Sequence, residues 1–426
     1  MWNEHLRSVE KSQTLLLNEQ SRHLEDAGQE VYKFGFGQSP FPPLASAIEA
    51  LRDHAGRKDY TPVQGLPTLR AKVAEFHKSV DGFDVTADQV LVAPGSKILL
   101  YTVLAAFERA DVFIPAPAWV SYAPQARLLG HTAIKLPTAF EQRWRIDAQA
   151  LTKAVQRKAD PSVPSVLILN YPGNPDGLSY SDTELQALAL ACRRHNVLVI
   201  SDEIYGLLHH SGEHVSLARH HPHGTIVTSG LSKWCGAGGW RLGVALLPRA
   251  LPGAFKDTLL GIASETYSCA STPVQMAACS AYEVHREVRD YLAHQRRLLG
   301  TLGRWVATEL NAASVQVHPP QGGFYLFPDF SPLAQKLERI GVRTSQDLCS
   351  RLLAETGVVL LPGDAFGMRP QHLCARLAYV DFDGPRALAR SAQLGLNCAL
   401  APTEFETLFG KTTRGIRKLT QWLAAL

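Results

Sequence analysis

Three apolar runs in the middle of the chain share one design, a few aliphatic residues followed at once by a polar tip. They are VLILNYPGNP (166–175), VLVISDEIY (197–205) and TIVTSGLSK (225–233). Val, Ile and Leu without polar alternation fit strands buried on both faces, and therefore a parallel sheet covered by helices. Between the first two runs, SDTELQALALACRRH places its apolar residues at helical spacing, with Ser181 and Glu184 as a capping box and a basic last turn. Strand, helix and strand in that order form a right-handed crossover, and such sheets bind ligands beyond the carboxyl ends of their strands. The tips Asn170–Asn174, Asp202–Tyr205 and Ser229–Lys233 are therefore predicted to converge.

Upstream, QVLVAPGSKILLYTVLAAF reads as a strand, a Pro-Gly turn and a helix whose first turn holds Ser96 and Lys97. Exposed amides at Gly95, Ser96 and Lys97 make a natural anion site. VFIPAPAWVSY is another short strand, running into a proline-marked loop that carries Trp119 and Tyr122. Beyond about residue 306 the texture changes. QGGFYLFPDF (321–330) and LCARLAYVDF (373–382) are shorter strand-like pieces among amphipathic stretches, and from about 384 onward the pattern is helical. The pattern predicts an α/β protein: a three-layer α/β/α large domain with a mainly parallel sheet over 60–305, and a smaller α+β domain over 306–426. Residues 1–59 supply an N-terminal arm and part of the small domain.

Composition narrows the function. The 426 residues are 46% apolar and 19% charged, with a net charge of +4 and no long basic run, so neither nucleic acid nor a membrane surface is an implied partner. No run reaches the roughly 20 apolar residues of a membrane helix, and the first thirty residues carry charge throughout, unlike a signal peptide. The seven cysteines are scattered without a CxxC pair, which fits a reducing, cytoplasmic setting.

The converging tips suit one kind of chemistry. A lysine at a dry strand end is a candidate nucleophile for an imine, because burial favours the free amine. A carboxylate such as Asp202 keeps a pyridine nitrogen protonated and turns a pyridoxal ring into an electron sink. Arg241 and the helix start at Gly95–Lys97 supply the cation and amides a phosphate needs.

At these residues the chain resembles the fold-type I pyridoxal phosphate enzymes, the class I/II aminotransferases. The resemblance rests on NYPGNPDG (170–177), SDEIY (201–205), SGLSKWCGAGGWRLG (229–243) and ARLAY (375–379), with DYTPVQGLPTLR (59–70) and FGFGQSPF (34–41) nearer the start. It implies pyridoxal 5'-phosphate as cofactor, bound covalently by Lys233, which also moves the proton at the substrate's α carbon. Asp202 is implied to hold the pyridinium, Asn174 and Tyr205 the phenolic oxygen, and Trp119 to stack on the ring. Arg241, Ser96 and Lys97 are implied phosphate ligands. Tyr60 is implied to reach the phosphate of a second subunit's cofactor, which makes the expected state a homodimer. Arg376 is implied to clamp the substrate's α-carboxylate through its planar fork, with Gly37 leaving room beside it and Asn174 and Trp119 also in reach.

The resemblance further implies ping-pong amino transfer between an L-amino acid and a 2-oxo acid, of the aspartate or aromatic type. A lyase or decarboxylase on the same cofactor, and a regulator that keeps only the fold, are the alternatives. Three positions depart from the family pattern. Gly230 stands where many relatives have a phosphate-binding serine, with Ser229 and Ser232 beside it as substitutes. Asp176 replaces the usual threonine of the Asn-Pro-x-Gly turn. SETYSCASTP (264–273) lacks an arginine that some dicarboxylate-specific relatives have, which weighs against an aspartate assignment. The histidines of HHSGEHVSLARHHPHG (209–224) fit no standard zinc spacing, and Cys235 is read as a packing residue.

Overall fold

A computed structural model describes residues 13–82, 84–249 and 251–426. The first twelve residues of the expected N-terminal arm lie outside the described residues. In chain order the strands are β1 (Tyr32–Lys33), β2 (Val90–Ala93), β3 (Asp111–Ala116), β4 (Thr132–Pro137), β5 (Ser165–Asn170) and β6 (Val197–Asp202). They continue as β7 (Thr225–Gly230), β8 (Gly243–Leu246), β9 (Tyr325–Leu326), β10 (Val358–Val359), β11 (Leu361–Pro362) and β12 (Ala375–Ala378).

Seven strands form the main sheet in the order β2-β8-β7-β6-β5-β3-β4. All pairings are parallel except the two made by β8, which runs antiparallel between β2 and β7. The strand pleat sends alternate side chains to opposite faces. Val166 and Ile168 pack with Leu99, Leu100 and Val103 of the helix Ser96–Ala105, while Leu167 and Leu169 pack with Leu185 and Leu188 of the helix Asp182–Arg194. Helix, sheet and helix are the three layers the apolar runs predict. The capping box forms as read: Ser181 N donates to Glu184 at 2.6 Å and Glu184 N to Ser181 Oγ at 3.3 Å.

Beyond this sheet, β11, β12 and β9 make a three-stranded antiparallel sheet and β1 pairs in parallel with β10, so the two chain ends are built together. Ala378 N donates to Phe34 O at 2.7 Å, and Lys33 N to Asp381 Oδ2 at 2.9 Å. The helix Pro402–Ala424 lays Gly415 against the rings of Tyr32 and Phe34, where any side chain would overlap them. A 27-residue helix, Arg286–Ala312, links this end to the main sheet and packs against both C-terminal helices. Among the described residues no helix is long and apolar enough to cross a membrane.

Candidate active site

The carboxyl ends of β2, β3, β5, β6 and β7 open on one cavity of about 550 Å³. Asp202 closes β6 in register with Asn170 of β5 and Thr228 of β7. Its carboxylate is 3% exposed and accepts from Tyr122 Oη at 2.7 Å, Thr228 Oγ1 at 3.3 Å and Ile204 N at 3.4 Å. Burial raises its pKa to about 6, against the pull of those donors, Tyr122 first. Asn170 staples the following turn to the same strand end: its Nδ2 donates to Asp202 O at 2.8 Å and its Oδ1 accepts from Asn174 N at 2.7 Å.

Lys233 follows β7 by three residues and is fixed from behind. Trp234 is fully buried against Phe76 and Tyr282, and its carbonyl accepts from Gln295 at 2.8 Å. The lysine Nζ reaches into the cavity, donating to Gly37 O at 3.0 Å, with the Tyr205 and Phe324 rings at 5.6 and 5.7 Å. Tyr205 Oη donates to Tyr325 Oη at 3.0 Å, and Tyr325 Oη to Gly37 O at 3.4 Å. Burial, and then Tyr325, hold the Tyr205 hydroxyl well above its ordinary pKa. A side chain at Gly37 would overlap the Tyr325 hydroxyl and ring, so any larger residue there must displace Tyr325.

The same cavity is lined by the start of a helix and by Arg241. The helix Ser96–Ala105 begins at Gly95, whose φ of +96° suits glycine, and no side chain caps its first amides. A Cβ on Gly243 would overlap the Ser96 backbone, and one on Gly95 the Arg241 guanidinium. Arg241 itself adopts a left-handed conformation (φ +57°), which turns its side chain back so that Nη1 donates to Gly238 O at 2.9 Å. Lys97 places Nζ 5.0 Å from the Trp119 ring centroid. Loss of water, then the charges of Arg241 and Lys233, push its pKa down. Ser232 lines the cavity, whereas Ser229 lies inside β7, paired with Val244 and buried. Of the two substitutes for the missing serine, the fold therefore brings only Ser232 to the site, because Ser229 is held within the ladder while Ser232 follows its end.

Arg376 enters from β12. It is 2% exposed, with Nη1 donating to Asn174 Oδ1 at 3.0 Å and Nη2 to Gly35 O at 2.7 Å. Its guanidinium lies 4.7 Å from the Tyr325 ring centroid and 5.1 Å from that of Phe366, and Nε is buried with no hydrogen-bond partner among the described residues. Trp119, Asn174, Tyr205 and Gly37 also line the cavity. Tyr60 does not: it is 91% exposed, away from the site of its own chain.

Residues 29–381 match the family described as aminotransferase class I and II. The chain belongs to that family. It is 32% identical to an aspartate aminotransferase of Bacillus sp. (strain YM-2), over 85% of this chain and 91% of that protein. It is 31% identical to an aspartate/prephenate aminotransferase of Cereibacter sphaeroides, over 89% and 94% of the two chains. The structure is similar to that of the Thermus thermophilus aspartate aminotransferase with maleate, with a TM-score of 0.79 and 27% identity over 91% of this chain and all of that one (100%). The protein is thus a class I/II aminotransferase, transferring amino groups rather than cleaving its substrate.

The residues of the cavity fit the family's cofactor, pyridoxal phosphate. The two glycines leave backbone amides bare for a phosphate, Arg241 adds a cation, and buried Asp202 is an acceptor without a cationic partner among the described residues. The motifs assign no role to two residues of the site, Tyr122 and Tyr325. Tyr122 shares the WVSY segment with Trp119, and Tyr325 sits in QGGFY, whose paired glycines mark a close backbone approach; neither signal names its partner.

Proposed function

We propose that this aminotransferase moves the amino group of an acidic L-amino acid to a 2-oxo acid in two half-reactions on pyridoxal phosphate. The observation that carries the reading is the set of opposed groups around one cavity: the Lys233 amine, the Asp202 carboxylate, the Gly95–Arg241 cradle and the Arg376 guanidinium. When bound, the cofactor supplies an electron sink for the bonding pair released at the substrate's α carbon.

The chain's own residues do the rest. Lys233 would be the amine that attaches the cofactor covalently and the base that takes the substrate's α proton and returns it. Asp202 would accept the ring N–H and keep it protonated, and the Tyr122 hydroxyl favours the ionised form of Asp202. Tyr205 and Asn174 would donate to the phenolic oxygen, Trp119 would cover a ring face, and Ser96, Lys97, Ser232 and Arg241 would hold the phosphate. Arg376 receives the α-carboxylate, its remaining donor capacity being the reason a buried Nε stands without a partner. Lys97 engages the phosphate through its backbone amide. That leaves its ammonium, in the cavity wall and without an ion pair among the described residues, for a second carboxylate on the substrate side chain. This cation replaces the arginine that SETYSCASTP lacks.

The same proposal includes a cytoplasmic homodimer in which exposed Tyr60 reaches the partner's phosphate cradle. It also divides the chain into a large part over 60–305 and a small part from 1–59 and 306–426, with the helix Arg286–Ala312 crossing between them. An amino-acid panel with 2-oxoglutarate as acceptor tests the reading. Aspartate or another dicarboxylic donor is expected to give the highest kcat/KM, with parallel-line kinetics; product formation without any 2-oxo acid overturns it.

A further inference from the structure

Asp176, the residue that departs from the family's usual threonine, is one half of a buried ion pair. Arg145 Nη2 lies 2.5 Å from Asp176 Oδ1, and the two side chains are only 8% and 3% exposed. The same Oδ1 accepts from Leu178 N at 2.8 Å, closing the turn that begins at Gly173. The carboxylate fills the space where a Cβ on Gly173 would sit. Arg145 lies over the Tyr180 ring at 5.0 Å. It is delivered there by two successive non-glycine residues in the left-handed region, Arg143 (φ +54°) and Trp144 (φ +55°). Such strain persists only where the surroundings over-determine it, and here they do: Arg143 donates to Ser179 O at 2.7 Å and Trp144 is buried against Leu178 and Phe327.

What the pair adjoins gives it a functional meaning. A small cavity of about 20 Å³ is lined by Arg145 and Asp176 together with Asn170, Asn174 and Tyr122. Asn174 Oδ1 is the acceptor that holds Arg376 Nη1. A buried guanidinium without a carboxylate must find another acceptor. Asn170, Asn174 and Tyr180 all line the cavity beside it, and Tyr180 already hydrogen-bonds Arg145.

We propose that Asp176 is a positioning residue for substrate-carboxylate recognition: by holding Arg145, it reserves Asn174 for Arg376 and so fixes the direction in which Arg376 meets the α-carboxylate. This rests on the reading of Arg376 as the carboxylate ligand. Without Asp176 the Arg145 guanidinium turns to Asn174, and Arg376 loses one of its two orienting bonds. Removing Arg145 as well abolishes the competition, so the second change is expected to repair the first.

The test compares holoenzymes of wild type, Asp176→Asn, Asp176→Thr, Arg145→Met, the double variant Arg145→Met/Asp176→Asn, and Arg376→Lys. Binding of maleate, a dicarboxylate that cannot react, is read from the absorbance of the bound cofactor, alongside melting temperature, KM and kcat. The Asp176 single variants are expected to bind maleate about tenfold more weakly and to raise KM about tenfold, with kcat within about threefold of wild type. Arg145→Met and the double variant are expected to keep maleate affinity within about threefold even where the melting temperature falls. Unchanged affinity in the Asp176 variants, affinity in the double variant as weak as in the single, or failure of both Asp176 variants to fold overturns the proposal. If Arg376→Lys also leaves maleate binding untouched, the carboxylate reading itself fails. If Arg376→Lys weakens it and Asp176→Asn does not, only the positioning role fails.

Discussion

Tyr122 and Asp202, eighty residues apart in sequence, meet in a 2.7 Å hydrogen bond from the phenol to the buried carboxylate. The bond opposes the effect of burial. It favours the ionised form of a group that the interior would otherwise keep protonated, and the ionised form is the one a pyridinium needs.

Tyr122→Phe is therefore expected to raise the Asp202 pKa above about 6 in the cofactor-free protein. Cofactor affinity, followed by absorbance from pH 6 to 9, should fall most at the acid end of that range. A pH profile identical to wild type would show that the hydroxyl does not tune the carboxylate.

The same carboxylate costs the cofactor-free fold stability. A folded-state pKa near 6 against about 3.9 in the unfolded chain means that the group's favourable contribution is complete below pH 4 and is lost as pH rises through 6. The loss amounts to about 3 kcal/mol by pH 8. Asp202→Asn is expected to melt at a higher temperature than wild type at pH 8 without cofactor, with the gap narrowing toward pH 5, and to bind cofactor more weakly. Calorimetry of both apoproteins checks the sign.

Much of this site could be read in the sequence because each strand ends abruptly. An aliphatic run that breaks into Asn170 or Asp202 announces both a buried strand and the residue at its mouth, and a parallel sheet gathers such mouths on one edge. Contacts made across the chain are not written that way. Nothing in WVSY names Asp202 as the partner of Tyr122, and Tyr325 meets Tyr205 from a separate sheet. Asp176 is legible as a turn residue, but its pairing with Arg145 depends on a left-handed kink at Arg143 and Trp144 that no glycine or asparagine signals. The choice between Ser229 and Ser232 turned on where β7 ends, and strand ends are the least definite part of a sequence reading.

Lys233→Ala is expected to lose more than about 10⁴-fold in kcat, since it removes both the covalent attachment and the proton carrier. Its melting temperature should stay close to wild type, because the fold is anchored at that point by Trp234 rather than by the lysine. Sustained multiple turnover by the purified variant would sink the assignment.

Arg376→Ala should raise KM and lower kcat together, for a loss of about 100-fold or more in kcat/KM, as expected when a buried charge partner is truncated. Steady-state kinetics with donor and acceptor each varied would reveal it. Loss confined to one half-reaction contradicts a clamp that serves both acids.

For Lys97→Met the expected signature is selectivity. The kcat/KM for aspartate should drop about tenfold relative to that for phenylalanine, since only the former has a second carboxylate to lose its partner. An unchanged ratio assigns the acidic side chain to another cation.

The reversed strand β8 gives the cofactor site a place in the order of assembly. It slots between β2 and β7, bringing Gly243 against Ser96 and Arg241 over Gly95. The phosphate cradle is thus closed by a segment synthesised long after the helix that opens it. No nascent chain ending before β8 can form the complete cradle, and a ligand that binds only the finished arrangement favours the zipped sheet over every unzipped one. A ligand held by both segments would therefore latch the last strand of the main sheet to arrive.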